Sequence, residues 1–374
     1  MSSRRDLLRA GAALSAVWAI PAWAGRAAAG DAVFAPSPGD WRSFALTTRI
    51  ALDRAKVGPG RVEAWVPLPG LEAAGWSRPG DTRWTTNAAS AAIEHDPASG
   101  AALLHLAWAA DDAAPRAEVT SLAALRDRAA DLAAPGPAPA LAEAERRRYL
   151  QPSALIPTDG IVRETADRIT AGADGDLAKA RALYEWVVAN TYRDAALRGC
   201  GSGDVAAMLR AGAPFGGKCA DINALFVGLA RASGIPARDV YGIRVAPSRF
   251  GYRSLGANST TVTKAQHCRA EVHLAGFGGV AADPADVRKV VLEEPPGRLA
   301  LDDPKVVAAH RALFGAWEGN WIAYNDAHDV ALPGSAGPAV GFLMYPQAEV
   351  AGVRLDCLDA DTFAYSLESA EISA

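Results

Sequence analysis

The chain is poor in cysteine, and what it has is not spaced like metal ligands. Its 374 residues include four, Cys200, Cys219, Cys268 and Cys357. No Cys-x-x-Cys pair occurs among them, which argues against a structural zinc site and leaves the expectation of no metal and no cofactor. A basic cluster is also missing beyond the N-terminal segment. The whole chain carries a net charge of −4, and the first 29 residues hold Arg4, Arg5, Arg9 and Arg26 against Asp6, so removing that net +3 leaves −7. A protein that acidic, without a cationic stripe, is a poor ligand for nucleic acid. After residue 24 no run approaches the roughly 20 apolar residues of a membrane span. No internal repeat is evident.

Half of the residues are hydrophobic, enough to bury ample core, and the length suits two or three domains. Ser3-Arg4-Arg5-Asp6-Leu7-Leu8, then a weakly apolar Ala-rich stretch to Ala24 and small-residue cleavage signals at Ala22-Trp23-Ala24 and Ala27-Ala28-Ala29, predict a twin-arginine-type export signal over residues 1–29. An ordinary secretory signal is the alternative. Both place the mature protein in the periplasm or outside the cell. Over 30–130 short alternating runs such as Arg61 to Leu68, broken by Gly-Pro and Pro-Gly turns, predict a β-sandwich-like module. Residues 131–155 read as a linker, with a Pro-rich break from Ala134 to Pro139 and a polar helix over Leu141 to Arg148. Helices are expected over Ile161 to Ile169, over Leu177 to Ala189 and shortly after Asp204. Residues 291–374 read as an extension packed on the core, with an aromatic patch (Phe314, Trp317, Trp321, Tyr324) and short strands near Val340 to Tyr345 and Phe363 to Leu367.

The chemistry concentrates between residues 216 and 284. Pro214, Gly216 and Gly217 disfavour regular structure, whereas Ile222, Leu225, Phe226, Val227, Leu229 and Ala230 form an apolar run that Gly234 and Pro236 stop. Cys219 therefore opens a helix. Unpaired N–H groups, the positive end of the helix dipole and neighbouring Lys218 all favour its thiolate, so its pKa should fall below the free value of about 8.5. The helix is apolar on nearly all sides, which predicts burial under a sheet.

From His267 to Leu274 polar and apolar residues alternate, as in a half-buried strand with His267, Arg269, Glu271 and His273 on one face. Ala275 to Gly279 is a turn and a return strand starts at Val280. Pairing centred near residue 276 brings Asp283 beside His267, and Pro284 ends the strand there. A carboxylate in that place fixes the imidazole tautomer and leaves the other ring nitrogen for a cysteine proton. Asp286 is the alternative carboxylate. His273 lies six residues further on, roughly 20 Å away at about 3.3 Å per residue, so the two histidines cannot serve one thiol. Cys268 points to the apolar face and reads as core. Cys200, in a glycine-rich segment before the helix, either approaches the cleft or is structural. One disulfide at most can form among Cys200, Cys268 and Cys357 if Cys219 is a working thiol. Glu271 and Arg238 read as structural charges, the Trp317 to Tyr324 patch as packing or cleft lining, and His328 as a lesser candidate for the site.

The strings GKCADINALFVGLARASGIPARDVYGIRV and HCRAEVHLAGFGGVAADPADV resemble the core of the bacterial transglutaminase-like superfamily, whose blocks run Gly-x-Cys, Gly-Ile-Pro-Ala-Arg, His-x-x-x-Glu and Asp-Pro. The resemblance implies an α+β, papain-like core over 156–290. It makes Cys219 the nucleophile, His267 the general base and acid, and Asp283 the orienting carboxylate. In this family an aromatic residue stands two positions after the histidine and a Gly-Trp precedes the last strand; Arg269 and Gly279 stand there instead, so substrate preference does not carry over. The implied reaction is attack on an amide or peptide carbonyl through a thioester, with hydrolysis favoured over cross-linking because water is the default acceptor outside the cell. The Cys219 N–H is the natural first oxyanion donor. Asn223 and Gln266 are candidates for the second, and Trp321 for contact with substrate. The expected partner is a peptide or protein amide, a cell-wall peptide included. A reading of another class is a catalytically silent module that holds such a partner in its cleft or on its β-module.

Overall fold

The computed structural model describes residues 33–138 and 140–372; the export signal expected over residues 1–29 lies outside them. Two antiparallel sheets form the N-terminal sandwich. One is ordered Tyr365–Ile372, Arg42–Ala51, Arg116–Leu125, Ser77–Thr86. The other is ordered Val353–Arg354, Gln347–Val350, Val62–Pro67, Ala102–Trp108, Ser90–His95. Alternate residues of these strands face inward, and Ile50, Val62, Val66, Leu104, Trp108, Val119 and Phe363 fill the space between. The stretch from residue 291 onward thus divides its contacts. Its helix Pro304–Ala312 and strand Trp321–Asn325 join the core that holds the cysteine helix, whereas its last strands pair with the sandwich, Ala45 opposite Ala370 and Ala64 opposite Ala348.

In the core, helices Gly160–Thr170, Gly175–Asn190 and Val205–Ala211 surround the cysteine helix, Cys219–Ala232. Every one of the 14 residues of that helix is buried, as its mostly apolar composition favours, and the polar Asp221, Asn223 and Arg231 are hydrogen-bonded where they lie. Against it packs an antiparallel sheet ordered Gly278–Ala282, Gln266–Leu274, Ala237–Arg244, Trp321–Asn325. The register Ala270 opposite Ala282 and Leu274 opposite Gly278 centres the hairpin on residue 276. Cys268, Ala270, Val272 and Leu274 share one cluster with Leu225 and Phe226 of the helix.

The other face of the histidine strand differs from the half-buried expectation. His267, Arg269 and Glu271 are buried too: Trp317 and Trp321 cover Arg269, the sandwich-side Arg128 covers Glu271, and His267 closes against Asp283. Alternation tells which side chains share a face but not whether that face meets water. Gly279 accounts for part of the covering. Arg128 donates to its carbonyl and to Glu271, and a Cβ on Gly279 would lie 2.9 Å from the guanidinium and 2.9 Å from the Glu271 carboxyl carbon. The missing aromatic residue leaves room for an arginine that ties the sandwich to the core. No helix among the described residues is long and apolar enough to cross a membrane.

Candidate active site

The N-terminus of the cysteine helix is strapped by one carboxylate. Asp221, at the third helical position, accepts the Lys218 N–H through Oδ2 at 2.9 Å and the Ser202 and Gly203 N–H groups through Oδ1 at 2.9 Å each. Gly201 lets the strap close: its φ is +94°, and a Cβ there would fall 1.7 Å from Asp221 Oδ2. The Ala220 N–H donates to the Cys200 carbonyl at 2.9 Å, so the strap carries Cys200 alongside Cys219. The reading of the sequence missed this role for Asp221. An acid three residues after the cap is a signal that could have shown it.

His267 and Asp283 meet as one hydrogen-bonded pair, Nε2 to Oδ2 at 2.7 Å. The other oxygen, Oδ1, accepts from Asn223 Nδ2 at 3.2 Å and from the Asp286 N–H at 3.0 Å. Asn223 is fully engaged: Nδ2 also donates to the Cys268 carbonyl at 2.8 Å, and Oδ1 accepts the Ala285 N–H at 3.2 Å. That corrects its candidacy as an oxyanion donor, since both of its polar atoms are spoken for beneath the site. Trp321 is likewise corrected. It is buried outside the cleft lining, and its Nε1 donates to the His267 carbonyl at 2.8 Å. Gln266 differs from both, because it lines the cleft and its buried Nε2 has no partner.

Two arginines complete the surroundings. Arg269 occupies the family's aromatic position, but its guanidinium stacks 4.7 Å from the Trp321 ring centre, donates to the Glu318 carbonyl at 3.0 Å and places Nε 3.8 Å from Asp283. It therefore backs the carboxylate and does not wall the cleft. Arg244 holds Asp286 with two hydrogen bonds of 2.5 and 2.7 Å, and Asp286 Oδ1 stands 3.5 Å from His267 Nε2. Asp286 is thus a buried ion-pair partner and not a surface charge; the i, i+3 spacing at a helix start puts both carboxylates at one place. His267, Asp283 and Asp286 fall within 4.8 Å of one another, a spacing a metal could use. The Arg244 cation already occupies that face of Asp286, and Asn223 that of Asp283.

The charges follow from these contacts. The Cys219 thiol is held well below its ordinary pKa, mainly because the Cys200 and Cys268 thiols donate to its thiolate, with His267 adding to them against the cost of burial. This revises the expected source, since the Lys218 ammonium turns away to the Leu197 carbonyl. Cys200 is pushed up by that same bond to Cys219 and by burial, Cys268 by burial first, and Cys357 by burial. Burial and Arg244 pull His267 down, but Asp286 and Asp283 outweigh them and its pKa is raised. All four cysteines are free. His273 sits at the far end of its strand opposite Gly279, and His328 packs on Tyr241 beside Asp239, outside the cleft lining. Cys219 and His267 open into a cleft of about 700 Å³.

Asp286→Asn is expected to destabilise the fold by about 3–5 kcal/mol, because it leaves the Arg244 guanidinium buried without its counter-charge. Urea unfolding measures it. A loss below about 1 kcal/mol would mean that the pair contributes no more than a surface bridge does.

Residues 163–284 match the profile of the Transglutaminase-like superfamily. An uncharacterized protein of Haemophilus influenzae is 41% identical over 235 residues, which cover 60% of this chain and 63% of that protein, so the match spans less than two thirds of the relative's own length. Among solved structures, a candidate cysteine protease from Cytophaga hutchinsonii aligns with a TM-score of 0.51 over 89% of this chain and 99% of its own, at 13% identity. At that identity the likeness concerns the fold. Residues 163–284 thus carry a transglutaminase-like core, and the fold combines helices and antiparallel sheet in a papain-like way.

Proposed function

We propose that the protein is an exported cysteine hydrolase that cleaves an amide or peptide bond through a thioester on Cys219. The observation that carries this reading is the pairing of a buried, acidified thiol with His267, whose Nε2 is held at 2.7 Å by Asp283. The thiolate attacks the carbonyl carbon. His267, as imidazolium, gives its proton to the departing amine, leaving the acyl group on sulfur. Water then attacks the thioester, His267 accepts its proton, and the carboxylic acid departs as the thiolate re-forms. The Cys219 N–H, in the helix's first turn with no intrahelical partner, and the unpartnered Gln266 amide would receive the oxyanion. Against the alternative of a silent binding module, the two departures from the family pattern, Arg269 and Gly279, lie outside the cleft lining and leave Cys219 and His267 open to it. Export rests on the signal-like N-terminal segment.

The test is alkylation by iodoacetamide across pH with mapping of the modified residue. Cys219 is lowered and the other three thiols are raised. At pH 6 to 7 Cys219 is expected to react at its plateau rate while the others remain protonated. Its rate should fall only as the pH drops through its depressed pKa. Equal, slow labelling of all four, climbing towards the free-thiol pKa of about 8.5, would overturn the nucleophile.

A further inference from the structure

We propose that the cleft beside Cys219 takes an anionic acyl substrate, an acidic peptide whose carboxylate lies next to the scissile amide. The inference rests on the hydrolase reading and names its substrate class. Six cations line the cleft, Arg193, Arg198, Lys218, Arg244, Lys264 and Lys289, and no aspartate or glutamate does. In a chain whose acids outnumber its bases, 42 to 38, that is a local reversal of sign. They also come from separate elements: the short strand Thr191–Arg193, the loop that follows it, the start of the cysteine helix, the strand Ala237–Arg244, the loop into the histidine strand, and the helix Pro284–Glu293.

Not all of these charges are cancelled. Arg244 is matched by Asp286 and Arg198 by Asp356. Arg193 and Lys289 share the single carboxylate of Glu293, Lys289 at 3.8 Å. Lys218 meets only the Leu197 carbonyl. Lys264, exposed on the loop into the histidine strand, pairs with no carboxylate among the described residues. Three positive charges therefore remain on residues that line the cleft. Crowding is visible at Lys289, whose amine is pushed down to about 8 by burial and then by Arg244.

A second observation points the same way. Gln266 is 9% exposed, lines this cleft and holds an Nε2 with no partner; a buried donor left unsatisfied is costly unless a ligand acceptor arrives. Tyr345, Leu358, Phe363 and Tyr365 also line the cleft and supply largely apolar surface for the body of a peptide. A concave site lined by one sign of charge concentrates the opposite ion. The same field repels a lysine ammonium, which favours water over an amine as the second acceptor.

The experiment compares iodoacetate with iodoacetamide at Cys219, with glutarate as competitor. The His267 imidazolium by itself draws an anion, so the informative quantity is how the iodoacetate-to-iodoacetamide rate ratio changes when the lysines change. In Lys264→Gln/Lys289→Gln the ratio is expected to fall by about tenfold or more, as it should for wild type at high salt, within the range electrostatic focusing covers. Glutarate should protect wild type and lose that effect in the variant. If Lys289→Gln prevents folding, Lys264→Glu alone, at its exposed position, is expected to lower the ratio at least severalfold. A ratio indifferent to these changes and to salt, with Cys219 still labelled fast by iodoacetamide, overturns the anionic substrate and leaves the hydrolase. Absence of selective labelling of Cys219 by either reagent overturns the hydrolase, and the substrate class with it.

Discussion

Cys219→Ala is expected to abolish both peptide-amide hydrolysis and the fast alkylation phase while leaving the fold in place. The thioester has no other atom on which to form. Cys200 and Cys268 are the nearest thiols, yet both are pushed towards the protonated form, and Cys268 is sealed in the core. Stability should change little, by about 1 kcal/mol, because a single sulfur is removed from a helix start that Asp221 continues to strap. The measurements are turnover of a fluorogenic pool of peptide amides, rich in acidic members, and thermal unfolding of the same preparation. Residual turnover above about 1% of wild type, with the fold intact, would move the nucleophile elsewhere.

Asp283→Asn is expected to cut turnover by roughly 10² to 10⁴, the range seen when an orienting carboxylate is lost from such a triad. The reason is the tautomer. Asp283 Oδ1 accepts from Asn223 and from the Asp286 N–H, and Oδ2 accepts from His267 Nε2. An asparagine has only one acceptor oxygen. If that oxygen keeps its two donors, the amide NH2 faces Nε2, the ring proton moves to Nδ1, and the imidazole can no longer take a proton at the nitrogen left for the thiol. Asn223→Ala probes the same chain one step back and should give a smaller loss, since the Asp286 N–H remains as a donor. Turnover unchanged by Asp283→Asn would remove Asp283 from the mechanism.

Parts of this arrangement could be read along the chain because they depend on neighbours in sequence. Glycines and a proline before an apolar run mark the start of the Cys219 helix. A period-2 stretch and a glycine-rich turn imply a hairpin centred near residue 276, and its arithmetic brings Asp283 back to the start of the histidine strand. Other parts could not be read so. Whether Asn223 points into the cleft or under it depends on how the helix is rotated against the sheet. Arg269 looked like a lost cleft wall because the tryptophans it stacks on are about fifty residues away in sequence. The expectation that Lys218 acidifies the thiol assumed that adjacency in sequence is adjacency of charge, whereas its flexible side chain turned to a carbonyl.

By itself, then, the sequence determined the helix that begins at Cys219 and the hairpin that returns Asp283 to His267, which follow from local propensity and periodicity acting over a few residues, while the α+β class came with the resemblance its motif blocks carry. The tertiary structure alone decided that Cys200 and Cys268 flank the thiol, that Asp286 neutralises Arg244, that the C-terminal strands complete the N-terminal sandwich, and that six cations from separate elements line one cleft. Each of these joins groups far apart in the chain, and no periodicity in sequence encodes such a meeting; it is set by how the helices and sheets pack.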